Sequence, residues 1–207
     1  MLSNKIAILG YSGHGLVVAD AAIQQGISLK YYLEKKPVSF NPFNLQYLGD
    51  ENGTSFKGWD EIESVIIGIG DNHIRKKVVD SLPSKNLDFL NIIHPDSSFS
   101  EILELGKGNF ISRNVSINAG VEIGNHCILN TSAVIEHECL IGNFVHVAPG
   151  ATLAGNVKVG ESTFIGANSV IKQGIEVGKN VIVGAGSVVI RDISDGEKWV
   201  GNPARKI

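Results

Sequence analysis

The segment VIEHECLIGNFVHVAPG, residues 134–150, holds the side chains best suited to acid–base chemistry. His137 stands directly beside Glu138, and His146 follows nine residues later. A carboxylate beside an imidazole can orient the ring and raise its basicity, as general-base catalysis requires. A lone surface histidine is more often a solvated side chain, but the adjacent acid and the second histidine favour a catalytic role for His137.

A second candidate is the glycine-rich turn GYSGHG at residues 10–15, which follows a predicted strand and opens a predicted helix. Helix N-termini and glycine-rich turns present free backbone N–H groups to phosphate. The spacing is GxxGxG rather than the dinucleotide fingerprint GxGxxG. By itself the turn therefore leaves both a phosphate site and a purely structural turn open.

The composition is that of a soluble globular protein, with 43% apolar and 19% charged residues among 207 and a net charge of −3. The net charge and the scattered basic residues argue against nucleic-acid binding. The short run Arg75-Lys76-Lys77 is predicted to be a solvated helix face. No apolar run reaches the roughly 18 residues of a membrane span, and the N-terminus lacks a secretory signal. The two cysteines, Cys127 and Cys139, indicate a reducing cytoplasm.

Residues 1–95 alternate strand and helix signals, which predicts an α/β domain with a small parallel sheet. Strands are predicted over 5–10, 29–34, 63–70 and 88–95, and helices over 13–26 and from 72 to near Pro83. The stretch from Lys35 to Gly58 receives no assignment.

From about residue 100 the pattern changes to a period of six. Rows of six that begin at Val115 place Ile, Val or Leu third, at 117, 123, 129, 135, 141, 147, 153, 159, 165, 171, 177, 183 and 189. This period predicts a parallel β-helix in which each row is a strand plus a turn and residues 18 apart stack. Glycines in the fourth place are predicted to occupy corners with tight backbone geometry.

Two rival chemistries are weaker in this layout. His126, His137 and His146 fall on different rows without the close pairing that a zinc site would need, so no metal is expected. Cys127 and Cys139 occupy first places, where a small buried residue is usual, which argues against a thiol nucleophile. They are 12 residues apart rather than 18, so a disulfide is not expected either.

The rows resemble the left-handed β-helix of hexapeptide-repeat acyltransferases, and the tail segment GNPA matches their ending. With GYSGHG, IIHP and EHECLIGNFVHVAPGATLAGNVKVG, the chain resembles the sugar acetyltransferases of the UDP-4-amino-sugar N-acetyltransferase and sialic-acid O-acetyltransferase group. The resemblance implies a Rossmann-like nucleotide-sugar-binding domain over residues 1–95. An all-β left-handed parallel β-helix over 96–207 would follow as the acetyltransferase domain.

The resemblance also implies roles at the transfer site. His137 matches the catalytic base, Glu138 its partner, and Asn130 a polar residue near the sugar. The positions implied to contact acetyl-CoA are His146, Gly155, Ala167 and Ala185.

In the N-terminal half the resemblance places the nucleotide sugar on the glycine-rich turn. Gly13, His14 and Gly15 are expected to meet the substrate, Gly70 to line the same pocket, and Glu34 to approach the uridine or ribose. Glu34 is followed by lysine where related proteins carry a second acid, which leaves the base and the sugar open.

The expected activity is acetyl-CoA-dependent N-acetylation of a nucleotide-linked amino sugar, with a UDP-4-amino-4,6-dideoxy sugar favoured. The resemblance implies a homotrimer with the site between subunits. One alternative is O-acetylation of a sialic-acid-like sugar. Another is a non-catalytic β-helix that binds nucleotide sugar.

Overall fold

The computed structural model describes residues 5–51, 53, 56–82 and 87–207. It consists of a parallel sheet with flanking helices, followed by a three-faced parallel β-helix. Within the described residues, no helix has the length and apolar character needed to cross a membrane.

The N-terminal sheet has five parallel strands. They are β1 Ile6–Leu9, β2 Leu29–Leu33, β3 Gln46–Gly49, β4 Ser64–Ile67 and β5 Asp88–Phe89. Their order in the sheet is β3-β2-β1-β4-β5. The adjacent strands β1 and β4 are buried along their whole length, as apolar strands of a parallel sheet covered on both faces should be.

Two helices begin just beyond the carboxyl ends of these two strands. Helix α1, His14–Gln24, follows Gly13, whose φ of 47° turns the chain out of β1. Helix α2, Asn72–Ser81, is capped by the Asp71 carboxylate, which accepts a hydrogen bond from the Ile74 N–H at 2.8 Å. A single 3₁₀ turn spans Gly58–Glu61. Because β1 and β4 are neighbours, the turns that open α1 and α2 lie at the same sheet edge.

The structure differs from the sequence prediction at one strand and adds an element where none was assigned. The single strand predicted over 88–95 is wrong, because Asp88–Phe89 joins the N-terminal sheet whereas Ile92–Ile93 joins the β-helix. The unassigned stretch supplies the edge strand β3. Pro83, where α2 was expected to stop, lies outside the described residues.

The β-helix has three faces whose strands stack at intervals of 18 residues, except that Lys198 pairs with Ile182 after 16. The first face comprises Ile92–Ile93, Phe110–Ile111, Ile128–Leu129, His146–Val147, Phe164–Ile165 and Ile182–Val183, then Lys198–Gly201 with the antiparallel Ala204–Lys206. The second comprises Ser98–Phe99, Ser116–Ile117, Val134–Ile135, Thr152–Leu153, Val170–Ile171 and Val188–Val189. The third comprises Leu103–Leu105, Val121–Ile123, Leu140–Ile141, Lys158–Val159 and Glu176–Val177.

The hexapeptide register is confirmed. All thirteen third-place aliphatic residues from Ile117 to Val189 are 4% exposed or less and belong to one core. The left-handed backbone falls on the sixth place of every row except the last, and Glu138, for example, has a φ of 60°. The fourth-place glycines have another cause, since a Cβ on Gly124 would lie 2.5 Å from the Asn143 side chain of the next coil.

The N-terminal part packs on the first face of the β-helix. Outward side chains of its early strands, such as Phe110 and Ile128, share a core with Val18 and Ala22 of α1. This packing sets the glycine-rich turn and the Gly70 turn against the β-helix.

Candidate active site

The His137–Glu138 pair lies at a corner that follows the second face. His137 Nδ1 is 3.1 Å from Glu138 Oε2, and the two side chains are 54% and 71% exposed. The carboxylate can only accept, so Nδ1 carries the proton and Nε2 is left as the basic nitrogen. The left-handed φ of Glu138 turns its carboxylate back towards the ring. The arrangement is that of an oriented general base facing solvent.

Gly155 stacks one coil beyond His137 and lies beneath its ring. A Cβ at Gly155 would be 2.5 Å from both Cε1 and Nε2 of the imidazole. No real Cβ tolerates such a contact, so the absence of a side chain at 155 permits the observed ring position.

We expect Gly155→Ala to displace the His137 ring and to lower kcat roughly tenfold or more, since small misplacements of reacting groups are costly. Unfolding temperature should change little, because the atoms nearest to a Cβ at 155 belong to the His137 ring, which is exposed and can move. Steady-state kinetics and a thermal melt measure the two effects. Ala154→Gly, at the neighbouring position, is the matched control. A variant with wild-type kcat would show that the ring position is unimportant.

His146 points away from the coil interior, as predicted, but the N-terminal part covers it. Its Nδ1 is 3.2 Å from the Gly70 carbonyl oxygen, and its Nε2 is 3.2 Å from Asn130 Nδ2. Since a carbonyl only accepts, Nδ1 is the protonated nitrogen and Nε2 accepts from the amide. Burial, and then the Arg75 charge, lower the pKa of His146 to about 3. His146 is therefore a neutral imidazole of fixed tautomer.

His14 opens α1 and faces the same junction. Its ring centroid is 6.2 Å from that of His146 and 5.4 Å from that of Phe110. Burial, reinforced by Arg75, lowers the pKa of His14 to about 4. Its Nε2 is buried and has no hydrogen-bond partner in the described part of the chain.

Two clefts meet at Gly70. The larger, about 800 Å³, is lined by Gly10, Ser12, His14, Leu33, Glu34, Lys35, Glu51, Gly68, Ile69, Gly70, Ile74, Lys77 and Val78. The smaller, about 350 Å³, is lined by Gly70, Asp71, Asn72, His73, His146, Ser162, Phe164, Asn180 and Ile182. Along the larger cleft Glu34 accepts hydrogen bonds from the Tyr11 N–H and the Ser12 hydroxyl, at 2.8 and 3.2 Å. The carboxylate thus holds the glycine-rich turn.

The predicted site residues fall into separate groups. His14, Gly70, Asn130 and His146 meet at the junction with the N-terminal part, whereas His137, Glu138 and Gly155 share the corner after the second face. Ala167 and Ala185 lie with Asn130 at corners after the first face, and the Gly186 N–H donates to the Ala167 carbonyl at 2.8 Å. One chain therefore does not bring the proposed base to the cleft on its first face.

The prediction for the basic run is wrong at Arg75. This residue is 1% exposed and donates to carbonyl oxygens of both parts of the chain. Asn72, also missed, donates to the Ser162 and Thr163 carbonyls at 3.1 Å. The sequence does contain one indication for both residues: they lie in the first turn of a helix that begins shortly after Gly70.

His126, Cys127 and Cys139 were the other side chains considered for metal or thiol chemistry, and each is packed in the protein interior. His126 stacks on Phe144 at 5.0 Å beside Phe89. Within the described ranges, no group of three or more His, Cys, Asp or Glu side chains is placed to hold a metal ion. Both cysteines are buried free thiols, and burial raises the pKa of Cys127 to about 12 and also raises that of Cys139.

Three neutral buried histidines should make the fold acid-sensitive. Burial lowers the pKa of His126 to about 4, as it lowers those of His14 and His146. The unfolded chain then binds more protons than the native one between about pH 6.5 and pH 4, so stability is full above this window and falls as the pH drops through it. Proton uptake by these groups on unfolding near pH 5 should approach about three.

Denaturant melts between pH 7 and pH 4.5 measure this uptake. His126→Phe should remove about one proton from it. The substitution suits the site, since Phe144 has the same left-handed backbone one coil later. An unchanged slope in that variant would contradict the assignment.

The comparisons with known proteins agree with this geometry. Residues 5–82 match the PglD N-terminal domain, and residues 156–191 match the hexapeptide repeat of succinyl-transferase. The acetyltransferase domain of PglB from Neisseria gonorrhoeae is 31% identical, with a TM-score of 0.89 over 99% of this chain and 100% of that one. PerB from Caulobacter crescentus is 32% identical, with a TM-score of 0.91 over 98% and 96%. The chain belongs to the hexapeptide-repeat sugar acetyltransferases.

Several of the related structures contain bound ligands. PerB was crystallised with CoA and GDP-perosamine, and the PglB domain with acetyl coenzyme A. Two further PerB structures, described as perosamine N-acetyltransferase, carry asparagine or alanine in place of a histidine. WeeI from Acinetobacter baumannii is 26% identical, with a TM-score of 0.85 over 98% and 99%. The predicted family and the predicted fold, an α/β part followed by a left-handed β-helix, are confirmed.

Proposed function

We propose that this sugar acetyltransferase transfers the acetyl group of acetyl-CoA to the amino group of a nucleotide-linked sugar. The favoured acceptor is a UDP-4-amino-4,6-dideoxy sugar. The observation that carries the proposal is the exposed His137–Glu138 pair, which presents a basic Nε2. The complex of PerB with CoA and GDP-perosamine supports it. Since acetyl-CoA and nucleotide sugars are made in the cytoplasm, we place the reaction there.

In the proposed reaction His137 Nε2 accepts a proton from the sugar amine as the nitrogen bonds to the thioester carbonyl carbon. The tetrahedral intermediate then collapses, the C–S bond breaks, and the CoA sulfur takes up the proton that His137 releases. Glu138 orients the ring and stabilises the imidazolium. The Gly155 N–H, beneath the ring, is proposed to donate towards the acetyl oxygen as charge develops.

The proposed roles of the other site residues are assigned from the two clefts that they line or adjoin. The larger cleft is proposed to hold the nucleotide, with the turn at Gly13, His14 and Gly15 at the phosphates and Glu34 at the ribose. Gly70 lies where the clefts meet, on the path to the amino sugar. The residues proposed to contact the sugar or acetyl-CoA along the β-helix are Asn130, His146, Ala167 and Ala185.

We further propose a homotrimer packed through the second face of the β-helix. From the second coil on, the outward residues of that face are Ser116, Val134, Thr152, Val170 and Val188, none of them charged. Those of the third face include Glu122, Lys158 and Glu176. His137 follows the second face, so packing there would carry it to a neighbouring subunit. Light scattering should give three times the chain mass, and a stable monomer at micromolar concentration would refute the shared site.

The activity is tested by CoA thiol release from acetyl-CoA with UDP-, GDP- and CMP-linked amino sugars. We expect release with an amino sugar and an acetylated product that resists base hydrolysis, as an amide does and an ester does not. Binding without release would point instead to a nucleotide-sugar-binding protein. A base-labile product on a hydroxyl would indicate O-acetylation.

A further inference from the structure

Arg75 is a fully buried cation at the junction of the two parts of the chain. Its guanidinium donates to five oxygens, all of them neutral: Asn72 Oδ1 at 2.8 Å and the carbonyls of Ile69, Gly70, His126 and Phe144 at 3.1, 3.0, 2.8 and 2.9 Å. Burial lowers the pKa of Arg75 to about 10, so it remains charged at neutral pH.

Packing alone does not explain this residue. A buried charge without an acidic hydrogen-bond partner is costly, and an apolar side chain of similar volume fills such a space at lower cost. The guanidinium offers a planar fork that reaches several acceptors at once. Two of its acceptors belong to the turn before α2, and two belong to rigid left-handed corners of the β-helix, with φ of 57° and 58° at His126 and Phe144.

Arg75 also acts on the histidine at the cleft. The Gly70 carbonyl accepts from both Arg75 Nη1 and His146 Nδ1, at 3.0 and 3.2 Å. Arg75 therefore fixes the oxygen that selects the tautomer of His146. Its charge adds to burial in keeping both His14 and His146 neutral.

We infer that Arg75 is a positioning residue for acetyl transfer, which holds the Gly70 turn of the nucleotide-sugar cleft at a fixed place on the β-helix. The inference rests on the proposed function. The clamp keeps a sugar bound to the N-terminal part in one geometry relative to His146 and to acetyl-CoA on the β-helix. Asn72 completes the clamp, since it accepts from Arg75 and donates to Ser162 and Thr163.

The kinetic test compares Arg75→Met, Arg75→Lys and the matched control Lys76→Met. Lys76 also bridges the two parts, through an ion pair with Glu161 at 3.2 Å, but it is partly exposed, and such pairs contribute little. Arg75→Met should lower kcat about 100-fold, as a misplacement near 1 Å does, with a much smaller change in the KM for acetyl-CoA. Arg75→Lys keeps the charge but loses the fork, so kcat should fall about tenfold or more. Lys76→Met should stay within about twofold of wild type.

A second measurement needs no sugar substrate. Imidazole ¹⁵N NMR, assigned by loss of a signal in His146→Gln, should show wild-type His146 as the neutral Nδ1–H tautomer from pH 5 to pH 8. The groups around it are Arg75, His14, Asp71 and His73. In Arg75→Met the ring should lose its fixed tautomer, because the Gly70 carbonyl that accepts from Nδ1 is no longer held, whereas burial should keep the ring neutral in both variants.

Wild-type kcat and an unchanged His146 signal in a folded Arg75 variant, with only a lower melting temperature, would overturn the inference. Should Arg75→Met fail to fold, the kcat of Arg75→Lys decides: a fall of about tenfold or more supports the inference, and wild-type kcat overturns it. If the wild-type chain shows no acetyl transfer, the proposed function fails, and the NMR comparison still decides whether Arg75 governs His146.

Discussion

Replacing His137 with alanine is expected to lower kcat by about 10²–10⁴-fold, the usual contribution of a positioned general base. The ring is exposed, and the one side-chain hydrogen bond that it makes within the described residues is to the exposed Glu138 carboxylate, so its loss should leave the fold and the KM for acetyl-CoA nearly unchanged. Steady-state kinetics with acetyl-CoA and the amino sugar measure this. Gln173→Ala, at the same corner two coils from His137, is the matched control.

If His137→Ala folds normally and keeps wild-type kcat, His137 is a surface residue. Glu138 would then be the first candidate for the base.

Ile141→Asp should cost several kcal/mol of folding free energy, because it buries a carboxylate within an aliphatic column. Ile141 is 4% exposed and stacks between Ile123 and Val159. We expect an insoluble protein or one without a cooperative thermal transition. Leu140→Asp is the matched control, since Leu140 is the outward neighbour on the same strand and 37% exposed. A soluble Ile141→Asp protein with an unchanged melting temperature would contradict the register.

The β-helix could be predicted from the sequence because its structure is repeated and local. Each row of six buries one aliphatic side chain and turns once, so the period itself gives the register from Ile117 to Val189. The same layout placed His137 at an outward corner beside Glu138, and the structure shows them in contact. The roles of these residues came from the family resemblance, and they stay predictions until the variants are measured.

The left-handed backbone at the corners of the β-helix could not be predicted from the residue types found there. The sixth places adopt left-handed φ with residues as different as His126, Glu138 and Phe144. Stacking against the coils above and below imposes this conformation, and it overrides the usual preference for glycine. The fourth-place glycines instead respond to the close approach of the next coil.

The contacts between the N-terminal part and the β-helix could be learned only from the tertiary structure. Arg75 looked like one of three solvated basic residues, yet its acceptors at His126 and Phe144 lie 51 and 69 positions away. His146 reads as an outward residue in the repeat, but the turn at Gly70 covers it and removes its charge. Each part has its own pattern, six-residue rows in one and alternating strands and helices in the other, and neither pattern refers to the polar contacts between the parts. The pattern therefore carries no information on which polar side chains the docking of the two parts buries, and that docking determines the charge of His146.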